Sequence, residues 1–178
     1  MADGEWIAGV KSARKLTYFN EANVGKWAGI VDLAAQAFNQ MPDSIVTYEA
    51  IKDKDAANVV VGVAGKEAKF DPGNHKLPPL KMTSLIHGKT RTIDLGNGIQ
   101  KAGCFLPVNT EASEKNYLIF IAAHELLHAT GLDAHVNDGL LMNHPNMFEG
   151  TIFASADSTR MPPLFLGPKT AARMVAKW

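Results

Sequence analysis

The sequence has a single cysteine, Cys104, among 178 residues, which excludes an internal disulfide framework and any site built from several thiolates. Metal ligands must then be His, Asp or Glu, and Cys104 itself reads as a small buried hydrophobe. No charge of one sign prevails: eighteen Lys and Arg balance eighteen Asp and Glu. The basic footprint of a nucleic-acid binder is therefore missing. Hydrophobic residues make up 46% of the chain, yet no uninterrupted apolar run approaches the roughly 20 residues that span a bilayer. No membrane insertion is expected, and the chain reads as soluble. The first residues, Met1-Ala2-Asp3-Gly4-Glu5-Trp6, lack the basic start and apolar stretch of a signal peptide, so an export signal is expected elsewhere, if the chain is exported. Repeats, low-complexity tracts and linkers are also missing. The length suits one well-buried domain, 1–178, expected to act as a monomer.

The apolar pattern gives the order of elements. Leu16-Thr17-Tyr18-Phe19 reads as a short strand, and Val24, Trp27, Val31, Ala34 and Phe38, spaced 3, 4, 3 and 4, form one stripe on a long helix ended by Pro42-Asp43. Ile45 to Tyr48 and Asn58 to Val63 are β-branched runs that read as neighbouring strands across a polar turn. Residues 71–91, with Pro72, Gly73, Pro78, Pro79 and Gly88, have loop composition, and His75 and His87 read as loop histidines rather than a second metal site. Arg91 to Leu95, a Gly96-Asn97-Gly98 turn and Ile99 to Val108 predict a hairpin. Pro107 marks the second run as an edge strand, because its missing N–H would break an interior ladder.

From Tyr117 to Ala123 every residue is apolar or aromatic, so a helix there must be buried, with Ser113 as N-cap and Gly131 as a left-handed end. His124-Glu125-Leu126-Leu127-His128 lies in its last turns. Residues four apart stand above one another on a helix, so His124 and His128 can aim two imidazoles at one ion. Glu125 is turned about 100° from His124 and reaches a water beside the ion without becoming a ligand. Zinc lowers the pKa of its water from about 15.7 to about 7, and a carboxylate alongside takes that proton and passes it to a leaving amine. Two histidines and a glutamate closing an apolar helix cost desolvation energy unless paired or metal-bound.

A catalytic zinc usually takes three protein ligands, so a third must follow Gly131. Here the sequence resembles the metzincin clan of zinc peptidases, whose pattern is H-E-x-x-H-x-x-G-x-x-H followed by a methionine turn. His124, Glu125, His128 and Gly131 match it, and Gly139-Leu140-Leu141-Met142-Asn143-His144-Pro145 looks like that turn, with Met142 packing rather than reacting. The clan's third ligand would fall on Ala134, which cannot bind metal. Of its neighbours, His135 is favoured, because a bend one residue longer still delivers an imidazole. Asp133 is the alternative, on the precedent of clan members with an aspartate ligand, and His144, Asp138 and Glu149 follow. His144 also stands where related families carry a tyrosine that assists the tetrahedral intermediate, a place from which it can donate to an oxyanion.

The resemblance implies an α/β (α+β) fold: a twisted mixed sheet of about five strands, two long helices, a cleft, and a small C-terminal subdomain, 132–178, beyond an N-terminal one, 1–131. The tail Met161 to Leu166 is expected to line a side-chain pocket, and a last helix from about Pro168 to Trp178 to turn Ala171, Met174 and Val175 inward. It further implies a zinc endopeptidase with one catalytic Zn2+ on His124, His128 and His135, with Glu125 as general base and His144 assisting. The peptide substrate would lie extended along the edge strand Gly103 to Val108. A zinc hydrolase of non-protein amides or esters, and a catalytically inactive zinc-binding module, are the alternatives.

Overall fold

Six residues, Val59–Ala64, five of them buried, form the middle strand of a five-stranded sheet. An apolar run without alternation is what a strand covered on both faces requires. The computed structural model describes residues 3–70, 77–83, 87–136, 138, 141–142 and 164–178. In chain order these form α1 (Ala8–Ala13), β1 (Lys15–Asn20), α2 (Ile30–Asn39), β2 (Thr47–Ala50), β3 (Val59–Ala64), β4 (Glu67–Ala68), β5 (Leu80–Lys81), β6 (Lys89–Asp94), β7 (Ile99–Pro107), α3 (Lys115–Ala129) and α4 (Pro168–Lys177). The large sheet runs β2-β1-β3-β7-β6, parallel except for the β6–β7 hairpin, and β4 pairs antiparallel with β5. This is the expected α/β (α+β) architecture, with a short first helix that the apolar pattern did not announce.

Several expectations need correction. The runs at 45–48 and 58–63 are not neighbours, because β1 lies between them and pairs in parallel with both. Tyr18 stands opposite Ala50, the last residue of β2, and also opposite Val59, the first of β3. The two strands are thus staggered along β1, and the short link between them crosses it without returning. The stripe from Val24 to Phe38 is not one helix either. Gly25 and Gly29 have φ of 54° and 72°, which confine Gly25–Trp27 to a single 3-10 turn and start α2 at Ile30. Val24 is consequently exposed, while Ile30, Val31, Ala34, Ala35 and Phe38 remain buried.

The hairpin forms as expected, with Arg91 opposite Gly103 and the Asp94 carboxylate accepting from the N–H groups of Gly96 and Gly98. Its second strand, however, is not an edge. β7 is paired with β3 on one side and, as far as Phe105, with β6 on the other, so Gly103 to Phe105 has no free edge to offer a peptide. Pro107 is tolerated because Val108 donates its N–H to Ala64 of β3. By alternation the proline nitrogen points to the other side, where β6 already ends at Lys89 opposite Phe105. Among the described residues, the free edge at this end of the sheet is that of β6.

Residues 71–91 are not loop throughout: Leu80–Lys81 is a strand and β6 begins at Lys89, while residues 71–76 and 84–86 lie outside the described residues. Leu80 joins Ala64, Ala68 and Phe105 in a small apolar cluster. The main core draws residues from Trp6 to Met174 and includes most of α3, on which α2 packs. α3 is buried from Asn116 to Leu127, as its composition requires. Its N-cap is Glu114, without a side-chain cap, so Ser113 does not serve. In α4 Met174 is fully buried and Ala171 partly so, but Val175 is 61% exposed. One residue past Met174 is a turn of about 100°, enough to leave the buried face. Of the tail, Leu164 and Leu166 are in the core and Phe165 is exposed; Met161 lies outside the described residues. Among the described residues no helix is long and apolar enough to cross a membrane.

Candidate metal centre

His124 and His128 lie one turn apart near the end of α3, with ring centroids 4.6 Å apart and planes perpendicular. The Thr130 hydroxyl donates to Leu127 O at 2.7 Å where the helix ends, and Gly131, at φ 100°, reverses the chain. That reversal carries His135 back over the helix. Nε2 of His124 is 3.0 Å from Nε2 of His128 and 3.1 Å from Nε2 of His135. One ligand nitrogen from each of the three residues lies within 4.8 Å of the others, an arrangement that can hold a metal ion.

The outward nitrogens fix what the inward ones do. Nδ1 of His124 is 2.5 Å from Leu141 O, and Nδ1 of His128 is 2.7 Å from Leu132 O. A carbonyl oxygen only accepts, so each Nδ1 carries a proton, and in a neutral ring so placed the lone pair of Nε2 faces inward. Two lone pairs facing at 3.0 Å repel, and a cation between them removes the repulsion. Nitrogens each about 2.0–2.1 Å from a tetrahedral zinc stand about 3.3 Å apart, near the observed separations. Burial holds the His124 imidazolium well below its usual range, aided by the charges of His128, His135 and His87 and opposed by the Leu141 carbonyl. His124 is thus kept in the neutral form that metals take. Three imidazoles suit zinc, copper, iron or nickel.

Glu125 is almost wholly buried. Its Oε2 accepts from the Thr90 hydroxyl at 2.7 Å, and that hydroxyl also lies 3.1 Å from Glu125 O. Burial raises the carboxyl above its ordinary range, against the pull of His128, Thr90 and Lys89. Gly88 closes the other side: a Cβ there would stand 2.5 Å from Cγ of Glu125. Neither Gly88 nor Thr90 was foreseen. The available signal was weak: Gly88, one residue before β6, and Thr90 are two positions apart, which puts them on one side of an extended chain. Cys104 fits its reading as a buried hydrophobe, its Sγ 3.4 Å from Glu125 O and its thiol pushed upward by burial.

Of the remaining candidates, Asp133 and Asp138 are not part of this cluster. The backbone N–H of Asp133 donates to Asp3. Asp138 accepts from the Thr170 N–H in the first turn of α4. His144, Glu149 and His75 lie outside the described residues. Met142 is fully buried in the core, next to the Leu141 whose carbonyl orients His124. No protein-family model matches the chain, and comparison with curated proteins gives no match.

Proposed function

We propose that this chain is a zinc-dependent endopeptidase of the type its motif resembles, with His124, His128 and His135 as ligands and Glu125 as general base. The observation that carries this reading is the convergence of three Nε2 atoms beside a buried glutamate on the same helix. A bound zinc supplies Lewis acidity and brings the pKa of water to about 7. Glu125 takes one proton from the attacking water at its carboxylate while the oxygen adds to the scissile carbonyl carbon. The same carboxyl then delivers that proton to the amide nitrogen as the C–N bond breaks, leaving an acid and an amine. A carboxyl raised by burial suits a group that must hold a proton between these two events. Thr90 keeps the carboxylate in place through its hydroxyl.

An extended peptide would lie along β6, the strand whose Thr90 touches Glu125, and add itself to the sheet by main-chain hydrogen bonds. The deciding experiment measures zinc content together with cleavage of a peptide library by the wild type and Glu125→Gln. The wild type should carry one zinc and cleave peptides; Glu125→Gln should keep the zinc and lose nearly all cleavage. Zinc without peptide cleavage, but with turnover of small amides or esters, would replace the peptidase reading. Near-normal turnover by Glu125→Gln would remove Glu125 from its role.

A further inference from the structure

Two of the three histidines are placed by a helix and locked by carbonyls, whereas His135 is exposed and comes from an irregular turn. Its placement depends on what fixes the turn, and residues from both far ends of the sequence converge there. The Asp3 carboxylate accepts from Nε and Nη2 of Arg173, at 2.9 and 2.5 Å, and from the backbone N–H of Asp133 at 3.0 Å. Arg173 turns its remaining Nη1 to Ala134 O at 2.9 Å. One bidentate ion pair thus grips the two residues that immediately precede His135. Its side chains are only 21% and 15% exposed, so it is screened far less than a surface pair. Burial alone would raise the Asp3 carboxyl, but Arg173 and the backbone N–H groups of Asp133 and Ala134 hold it below its usual value.

The rest of the turn is held the same way. Gly4 N–H donates to Gly131 O at 2.8 Å, Trp6 Nε1 to Ala129 O at 3.0 Å, and Trp178 Nε1 to Thr130 O at 3.0 Å. We infer that Asp3 and Arg173 are positioning residues for the third ligand: by fixing the backbone at residues 133 and 134, through the N–H of Asp133 and the carbonyl of Ala134, they set how tightly the three-histidine centre holds its metal. The inference rests on the reading of that centre as a metal site.

The test is zinc affinity by chelator competition, with the absorption spectrum of the cobalt(II)-loaded protein and the thermal stability of the metal-free protein measured alongside. Asp3→Asn and Arg173→Ala should each weaken zinc binding about 10- to 100-fold, the range for groups that orient a ligand. The double variant should be little worse than either single one, because the two act as a unit. Arg173→Lys keeps the charge but not the fork, so it should fall between wild type and Arg173→Ala, and it decides the matter if the alanine variant does not fold. The cobalt spectrum should change in these variants, a change that a loss of stability alone would not produce. Lys11→Ala, which breaks only the more exposed pair with Glu5, should leave affinity and spectrum alone. Zinc affinity within about twofold of wild type in all Asp3 and Arg173 variants, with His135→Ala losing more than 100-fold, would overturn the inference. Retention of zinc by His135→Ala would instead overturn His135 as the third ligand on which the inference rests.

Discussion

Among the described residues, a single hydroxyl, that of Thr90, holds the Glu125 carboxylate on which the proposed chemistry turns. Thr90→Val keeps the shape of the side chain and removes the 2.7 Å bond to Oε2 of Glu125. A hydrogen bond to a charged group is worth about 1.5–3 kcal/mol, so turnover should fall about 10- to 100-fold with zinc content unchanged. Steady-state kinetics on metal-loaded protein checks this. At the proposed third ligand, His135→Ala should weaken zinc binding by more than about 100-fold, whereas Asp133→Ala should cost less than tenfold, because only the backbone of Asp133 takes part in the Asp3 contact. The opposite ranking in a chelator titration would make the site an aspartate-ligand type. His124, Glu125 and His128 were legible because four residues of helix fix their relation locally. Thr90 was not, since it meets Glu125 across 35 positions and only the sheet brings them together.

The turn after α3 depends on a position that only glycine fills comfortably. Gly131 has φ 100°, and a Cβ there would stand 2.5 Å from Gly4 O, a backbone atom that cannot move aside cheaply. Gly131→Ala should therefore destabilise the protein by about 2 kcal/mol or more, lowering the melting temperature by roughly 4–8 °C. Calorimetry on the metal-free protein measures it. The left-handed end was legible from the residue type, and so was the hairpin from its Gly-Asn-Gly turn. Strand adjacency was not. Pro107 correctly marked a missing ladder bond, but a strand can lack a partner over its last residues and still be interior, and single-strand composition does not distinguish the two cases.

At the scale of the whole molecule, the Asp3–Arg173 pair makes stability depend on pH with a definite sign. The Asp3 carboxyl titrates lower in the folded chain than its ordinary 3.8, so its contribution is complete above that value and is lost as pH falls through the lower, folded one. Thermal unfolding of metal-free wild type and Asp3→Asn, compared between about pH 2 and 7, should show a gap in melting temperature near neutrality that closes in acid. A gap independent of pH would mean that the charge of Asp3 contributes nothing. Residues so distant in sequence left no trace in any local pattern. Their separation also orders the assembly of the centre. His124 and His128 are four positions apart and meet as soon as a turn of helix forms, whereas Asp3 and Arg173 are 170 apart. The entropy of closing so long a span is recovered only after intervening elements have packed. On the proposed reading, an incompletely folded chain would be left with a two-histidine grip and would release its ion readily, so tight metal retention would be a property that only the finished fold acquires.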